Sequence, residues 1–548
     1  MKDLEVKTLP VKDILDKANF LSIPFYQRPF SWDEEHFEDL IDDLTSADQN
    51  QDYFLGTAVL HKTAEPSDFD IVDGQQRFTS LMILLACLRD LISEKKFSKG
   101  LHEKIVQEEN EVDSIPEKIR LTVKDHDIFQ KLVVARGGTK DLSKVQGLSE
   151  PASRYVLAVK IFYDRLSELN QDELKVFAQF LSQRAILVTL STTSFEEAFR
   201  LFTIVNDRGK QLRRIDVLKA NNLSPTLIAN KNLREKLATT WEMYENDIGE
   251  DRFESIINIL RLVVLKDKPQ FDILREYQER IFDKKLILPG QTFVNRLFDY
   301  IDLYESIFID KDYCDEGGVE NFSYRSLMHI MDTEFKASEW RAVLLLFASK
   351  FGSSKFFDFT QHIEKFHLER LLAGQRKDER LAEYAKLLAA IEGVKTPEAA
   401  INLVDYDEEQ IKEVVTADIM YGRAYAKYVL LRLELATCEL DREHCFSARS
   451  IEHVFPQNPK DDSDWIEDLA EDSLLVDFVH SVGNLVLLSK SKNSGAGNLE
   501  FEEKKNKYLK TRVSDYPRSI EVLGYDEWDE DVIEERTEEA GDLILKFL

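Results

Sequence analysis

Along the first 225 residues, apolar and polar positions alternate in short runs, YFLGTAVLHK, FDIVDG and RAILVTLST, which predict β-strands. Helical spacing in FEEAFRLFTIVN is interleaved with them, so this section reads as α+β. From 226 to 420 the period changes. RFESIINILRLVVL, TFVNRLFDYIDLYESIF and EWRAVLLLFASKF set apolar residues three and four apart and predict a wholly helical section. After 421 a helix, YAKYVLLRLELA, leads into a β-like run SIEHVF, an acidic loop and a second run VGNLVLLS, Val482 to Ser489. A lysine-rich helix and an acidic last helix follow, the latter with Val532, Ile533, Ala540, Leu543, Ile544 and Phe547 at roughly helical spacing. At 548 residues the chain is too long for one core, and three units are expected, 1–225, 226–420 and 421–548.

Charge complicates this picture. With 102 acidic and 72 basic residues the formal net charge is −30, which disfavours a nucleic-acid surface spread over the whole chain. A local basic groove can still sit on an acidic protein. Lys490, Lys492, Lys504, Lys505, Lys507, Lys510 and Arg512 form one candidate, and a solvated helix face paired with Glu502 and Glu503 explains them equally well. The longest apolar stretch, Leu81 to Leu88, falls far short of the ~20 residues that span a bilayer, so no membrane partner is expected. MKDLEVKTLPVKDIL has no apolar signal region, and Cys87, Cys314, Cys438 and Cys445 are too scattered for a disulfide framework. Both point to the cytoplasm. Cys438 and Cys445 have His444 and His453 nearby but form no Cys-x-x-Cys pair, so structural zinc is not expected.

The chemistry concentrates in SIEHVFPQN, residues 450–458, and in the stretch C-terminal to it. A metal-dependent phosphodiesterase needs a base for water, oxygen ligands for a hard cation and a group that orients the base. His453 supplies the base. Glu452 beside it and Asn493 at the mouth of the next helix bring carboxylate and amide oxygens to one spot if the two runs pair and the helix crosses them. Asn484 is placed to bridge the hairpin and hold the loop that carries the histidine. As a plainer reading, Asn484 and Asn493 are turn and cap residues.

EHVFPQ, GNLVLL, Asn493 nine residues after Asn484, the N-x-x-F-x-x-K pattern of Asn498, Phe501 and Lys504, and the closing EWDEDVIEER together resemble the HNH, or ββα-metal, nuclease part of the GmrSD-type modification-dependent restriction endonucleases. The resemblance implies His453 as general base, Glu452 and Asn493 as metal ligands for Mg²⁺ or Mn²⁺, and Asn484 as the structural asparagine. Glu452 is one methylene longer than the aspartate common at that place. Lys490, Lys492, Lys504 and Lys505 then read as phosphate contacts.

Near the N-terminus, FDIVDGQQRFTSLMILL places a strand, an Asp-Gly turn and an apolar helix in succession, and the start of such a helix is a ready anion site. Gln75, Gln76 and Arg77 stand there, and no Walker A motif occurs in the chain. IPFYQRPFSW groups aromatics around Gln27 and Arg28, a composition suited to stacking a flat ring or to a core-edge strand. With YFLGTAVL, IRLTVKDHDIF and NDRGKQL, these stretches resemble the ParB/sulfiredoxin-like N-terminal domain of the same family. The resemblance implies nucleotide binding by Asp73, Gln75, Gln76 and Arg77, with Tyr26, Gln27 and Arg28 in the sensing or nucleotide pocket and GTP as the expected triphosphate.

The reading is therefore a multidomain chain, mainly α with α+β, that cuts modified phage DNA under nucleotide control. A less selective DNA nickase and a nucleotide sensor with an inactive HNH-like unit are its rivals. The sequence leaves a homo-oligomer open.

Overall fold

The alternation in YFLGTAVLHK becomes strand β3, and its neighbours in sequence build a sheet around it. In the computed structural model the strands of this part are β1 (Glu5–Pro10), β2 (Phe20–Ser22), β3 (Tyr53–Lys62), β4 (Asp68–Asp73), β5 (Val106–Gln107), β6 (Lys118–Ile119), β7 (Leu121–Thr122) and β8 (Ala185–Thr192). The structure describes the chain apart from residues 1–3, 16–18, 25–26, 28, 64–66, 113, 143–149, 195–196, 199–200, 203–212, 225, 447–449, 460–462, 464, 466–477, 489–497 and 510–515.

Six strands form a mixed sheet in the order β1-β8-β3-β4-β2-β7, while β5 and β6 make a separate small ladder. β3 runs parallel to β8 and antiparallel to β4, with irregularities beside Phe54 and Val59. Helix α1 (Gln75–Leu91) follows β4, and its side chains are buried without a break from Phe78 to Asp90. That all-round burial is what QQRFTSLMILLACL demands, since no polar face is available to turn outward. It packs on α2 (Glu150–Ser167).

The chain divides into two compact units, Met1–Thr240 and Trp241–Leu548. The helical section and the C-terminal section, expected as separate units, thus fold as one. Among its helices are α3 (Glu250–Leu265), α4 (Gln291–Tyr304), α5 (Glu339–Phe351), α6 (Phe356–Leu372), α7 (Ala426–Thr437), α8 (Phe501–Leu509) and α9 (Glu530–Leu545). A buried polar network explains the merger. On α6, Glu364 accepts the Tyr428 hydroxyl from α7 at 2.8 Å, and Lys365 donates to the carbonyl of Ile544 on α9 at 2.5 Å. Glu364 and Lys365 also pair with each other at 2.7 Å, and the buried Arg432 of α7 lies 3.4 Å from the same carboxylate, so one anion holds two cations where three helices meet.

SIEHVF and VGNLVLLS pair as expected. β9 (Ser450–His453) and β10 (Leu485–Leu488) are antiparallel, with Leu485 opposite His453 and Val486 opposite Glu452. Val482–Asn484 is a tight 3₁₀ turn that leads into β10 rather than part of the strand. α8 follows, giving strand, loop, strand and helix in chain order.

Candidate active site

His453 ends β9 with its ring 7 % exposed. Its Nε2 lies 3.2 Å from Nδ1 of His480, and the Gln457 amide nitrogen is 3.0 Å from its Nδ1. Tyr421 meets the ring edge-on at 4.3 Å between centroids and stacks on His480 at 5.5 Å. Burial pushes the His453 pKa down to about 3, aided by His480 and by Lys504, so the ring is neutral at physiological pH. A neutral imidazole has one lone pair, here faced by the Gln457 amide N–H, so a water uses it once it takes the place of that donor. An arriving phosphate anion raises the ring's basicity toward the range that suits proton transfer.

The turn before β10 holds this histidine's loop in place. Asn484 is fully buried, and its amide nitrogen donates to the carbonyls of Phe455 and Val479 at 3.0 and 2.9 Å. Its Oδ1 accepts from the Phe455 N–H at 2.7 Å and from the Trp528 indole at 3.1 Å. Four bonds to protein engage the whole side chain, so Asn484 braces the site. Gly483 is required for another reason. α9 crosses it so closely that a Cβ there would collide with the Ile533 carbonyl oxygen and the Thr537 hydroxyl.

The sequence reading placed Glu452 with His453, and the strand separates them. Adjacent residues of a β-strand face opposite sides. The Glu452 carboxylate, buried, meets the Lys504 ammonium at 3.0 Å on the α8 side of the hairpin. Lys504 is itself 0 % exposed, and its remaining donors go to the carbonyls of His453 and Val454 at 2.7 and 2.9 Å. Lys504 is therefore an internal clamp and not a phosphate contact. Lys505 is also turned inward, donating to the Tyr525 carbonyl at 2.9 Å, pairing with Glu502 and lying over the Phe501 ring. Lys490, Lys492 and Asn493 lie outside the described residues.

The groups packed on the His453 ring are imidazole, amide and phenol, and no cluster of three or more metal-ligating side chains occurs among the described residues. That set does not match the oxygen cage of Mg²⁺. What these residues do offer is proton transfer.

In the N-terminal unit, Gly74 caps α1 with φ at +95°, a conformation that suits glycine, and the first turn has no side-chain cap. Arg77 lies across β3 and donates to the Thr57 carbonyl at 2.9 Å. Gly56 makes room, since a Cβ there would stand 3.1 Å from the guanidinium carbon. Burial lowers the Arg77 pKa and raises that of Asp73, each countered by the other's charge. The Gln75 Oε1 is buried with no hydrogen-bond partner.

Gln76 does something the sequence did not suggest. Its Oε1 accepts from the N–H groups of Ser31 and Trp32 at 2.8 and 3.2 Å, and its amide nitrogen donates to the Pro29 carbonyl at 3.0 Å. Gln27, 3 % exposed, donates to the Val72 carbonyl at 3.0 Å. Both glutamines stitch IPFYQRPFSW to β4 and α1, which leaves Asp73, Gln75 and Arg77 as the groups a ligand would meet. Tyr26, Arg28 and the NDRG stretch lie outside the described residues.

Residues 11–223 match the family model for the N-terminal domain of the GmrSD restriction endonucleases, and residues 405–541 match the model for their C-terminal domain. The chain belongs to the GmrSD restriction endonucleases. No curated protein matches it. Both domains of a GmrSD endonuclease are thus present on one chain, DNA is its substrate class, and no described helix is long and apolar enough to cross a membrane.

Three residues of this GmrSD site went unread in the sequence. Tyr421 is far from His453 along the chain, so no local pattern links them. Gln457 follows the Phe-Pro turn, and His480 stands four residues before Asn484 in HSVGN, where a polar residue beside an apolar run was the available signal.

Acid stability follows from the buried rings. His453 and His367 are both pushed down to about 3, chiefly by burial, from an unfolded value near 6.5. Between those values the unfolded chain binds more protons than the native one, so stability rises with pH through that window and falls on acidification. Each ring should cost about 2 kcal/mol at pH 5 relative to pH 7. Urea midpoints at the two pH values check this, and His453→Gln should flatten the difference by one ring's share.

Proposed function

We propose that this GmrSD endonuclease hydrolyses phosphodiester bonds of modified DNA at an HNH-type centre, with His453 as the general base. The observation that carries the reading is a neutral, nine-tenths buried histidine at the end of a hairpin strand, 3.2 Å from a second histidine that is exposed. Water bound beside His453 gives up a proton to the ring as it attacks phosphorus, the P–O bond to the departing sugar oxygen breaks, and that oxygen takes a proton from solvent. His480 Nδ1 then accepts a hydrogen bond from the imidazolium, and its own exposed ring offers the proton a way to solvent. The strand, loop, strand and helix order supports the HNH assignment.

The N-terminal unit is proposed to bind and hydrolyse a nucleoside triphosphate, GTP first among candidates, at the start of α1. The unpartnered Gln75 oxygen, the half-buried Arg77 guanidinium and the uncapped first turn support it. The mark sensed on DNA is proposed to be a modified base in phage DNA.

The test is cleavage of glucosylated hydroxymethylcytosine phage DNA and plain plasmid, each with and without GTP, in Mg²⁺, Mn²⁺ or chelator. Modified DNA alone should be cut. Arg77→Ala should lower triphosphate turnover at least tenfold and reduce cutting with it. Equal nicking of both DNAs would replace the restriction reading with the nickase, and unchanged turnover and cutting in Arg77→Ala would remove the nucleotide gate.

A further inference from the structure

The first residues of β9, Ser450 and Ile451, border a cavity of about 690 Å³. Tyr421 lines it as well, and its ring packs on both His453 and His480, so the cavity adjoins the histidine pair through this one side chain. The charged residues around it are Lys336, Arg380, Arg423 and Lys427 against a single carboxylate, Glu334. On a chain of net charge −30 this is a local inversion of sign. Arg380 is tethered to the buried Glu339 at 3.8 Å, whereas Lys336, Arg423 and Lys427 are exposed at the rim. Of the lysines expected to track phosphates, Lys504 and Lys505 are turned into the protein, and Lys490 and Lys492 lie outside the described residues.

We infer that this cavity cradles the DNA strand flanking the bond to be cut, with Lys336, Arg423 and Lys427 on its phosphate oxygens and the exposed Tyr421 ring against a base or sugar. The inference rests on the nuclease reading of His453 and adds the surface that brings the phosphate there. Its cations come from the helical section, from the segment leading into α7 and from the first turn of α7, so the helical section forms part of the DNA-binding face. The volume suits one or two nucleotides, the size of an ordinary ligand pocket.

The test uses the full chain carrying His453→Ala, so that bound duplex stays intact, with anisotropy of a labelled duplex measured across a salt series. Lys336→Gln, Arg423→Gln and Lys427→Gln together should reduce the slope of log K against log salt by about 2 to 3, since each lost phosphate contact is worth roughly 0.9. Affinity near physiological salt should fall at least tenfold. Lys284→Gln, Lys386→Gln and Lys395→Gln together, an equal charge change at exposed sites away from the cavity, should leave the slope unaltered. Equal slopes in the two triple variants, or no duplex binding by the parent at any salt, would overturn the inference. So would a calorimetric heat of GTP binding that the cavity variant alone loses, because the cavity would then serve a free nucleotide. Failure of the nuclease reading appears elsewhere, as unimpaired cutting by His453→Ala.

Discussion

Replacing His453 with alanine should slow DNA cleavage by about 10²- to 10⁴-fold, the usual worth of a positioned general base. Duplex affinity should change little, because the ring touches Gln457, His480 and Tyr421 and does not line the cationic cavity. Single-turnover cleavage with protein in excess separates the two, since it reports the chemical step after binding is complete. His480→Ala should produce a smaller loss and should shift the acid limb of the pH–rate profile, because the imidazolium formed on His453 loses its acceptor. If His453→Ala cuts at the wild-type rate, the base lies elsewhere and the β9 site is structural.

Removing the Lys504 ammonium should cost about 3–5 kcal/mol of unfolding free energy, the penalty for leaving a buried charge without its counter-ion. Lys504→Met keeps most of the side-chain volume while taking the cation from Glu452 and donors from the His453 and Val454 carbonyls. Urea unfolding of the full chain measures it. The double variant Glu452→Gln with Lys504→Met should recover part of the loss, since an uncharged amide is cheaper to bury than a carboxylate deprived of the Lys504 ammonium. A phosphate-tracking lysine would behave in the opposite way, leaving the midpoint unaltered and changing only the salt dependence of DNA binding.

The same lysine marks the limit of what the sequence made legible. The runs YFLGTAVLHK and EWRAVLLLFASKF coincide with β3 and α5, because alternation and helical spacing are local properties that burial then enforces. The hairpin of SIEHVF with GNLVLL was equally readable, as was the bracing role of Asn484. Position in the chain says nothing about which lysines are buried, so Lys504 and Lys505 looked like a basic face when they are clamps. Glu452 and His453 looked like one site because they are neighbours in sequence, although the strand period itself sends neighbours to opposite sides. Gln76 and Gln27 looked like ligand groups because their amides can bond to anything, and only the fold reveals that backbone already claims them. The merger of the helical section with the C-terminal section rests on Glu364, Lys365 and Tyr428, three polar residues within helical stretches whose partners lie far along the chain.

The dependence of the hairpin on α9 gives the chain an order of assembly. Asn484 takes one of its bonds from Trp528, and Gly483 donates to the Thr537 hydroxyl and accepts from the Arg536 side chain. Translation runs from the N-terminus, and earlier units fold while later ones are still being made. The histidine loop therefore waits, braced incompletely, until the ribosome has passed Thr537, by which time the N-terminal unit has been fully synthesised. A chain that ends before Trp528 therefore has its N-terminal unit complete while the turn beside His453 lacks the bonds from Trp528, Arg536 and Thr537.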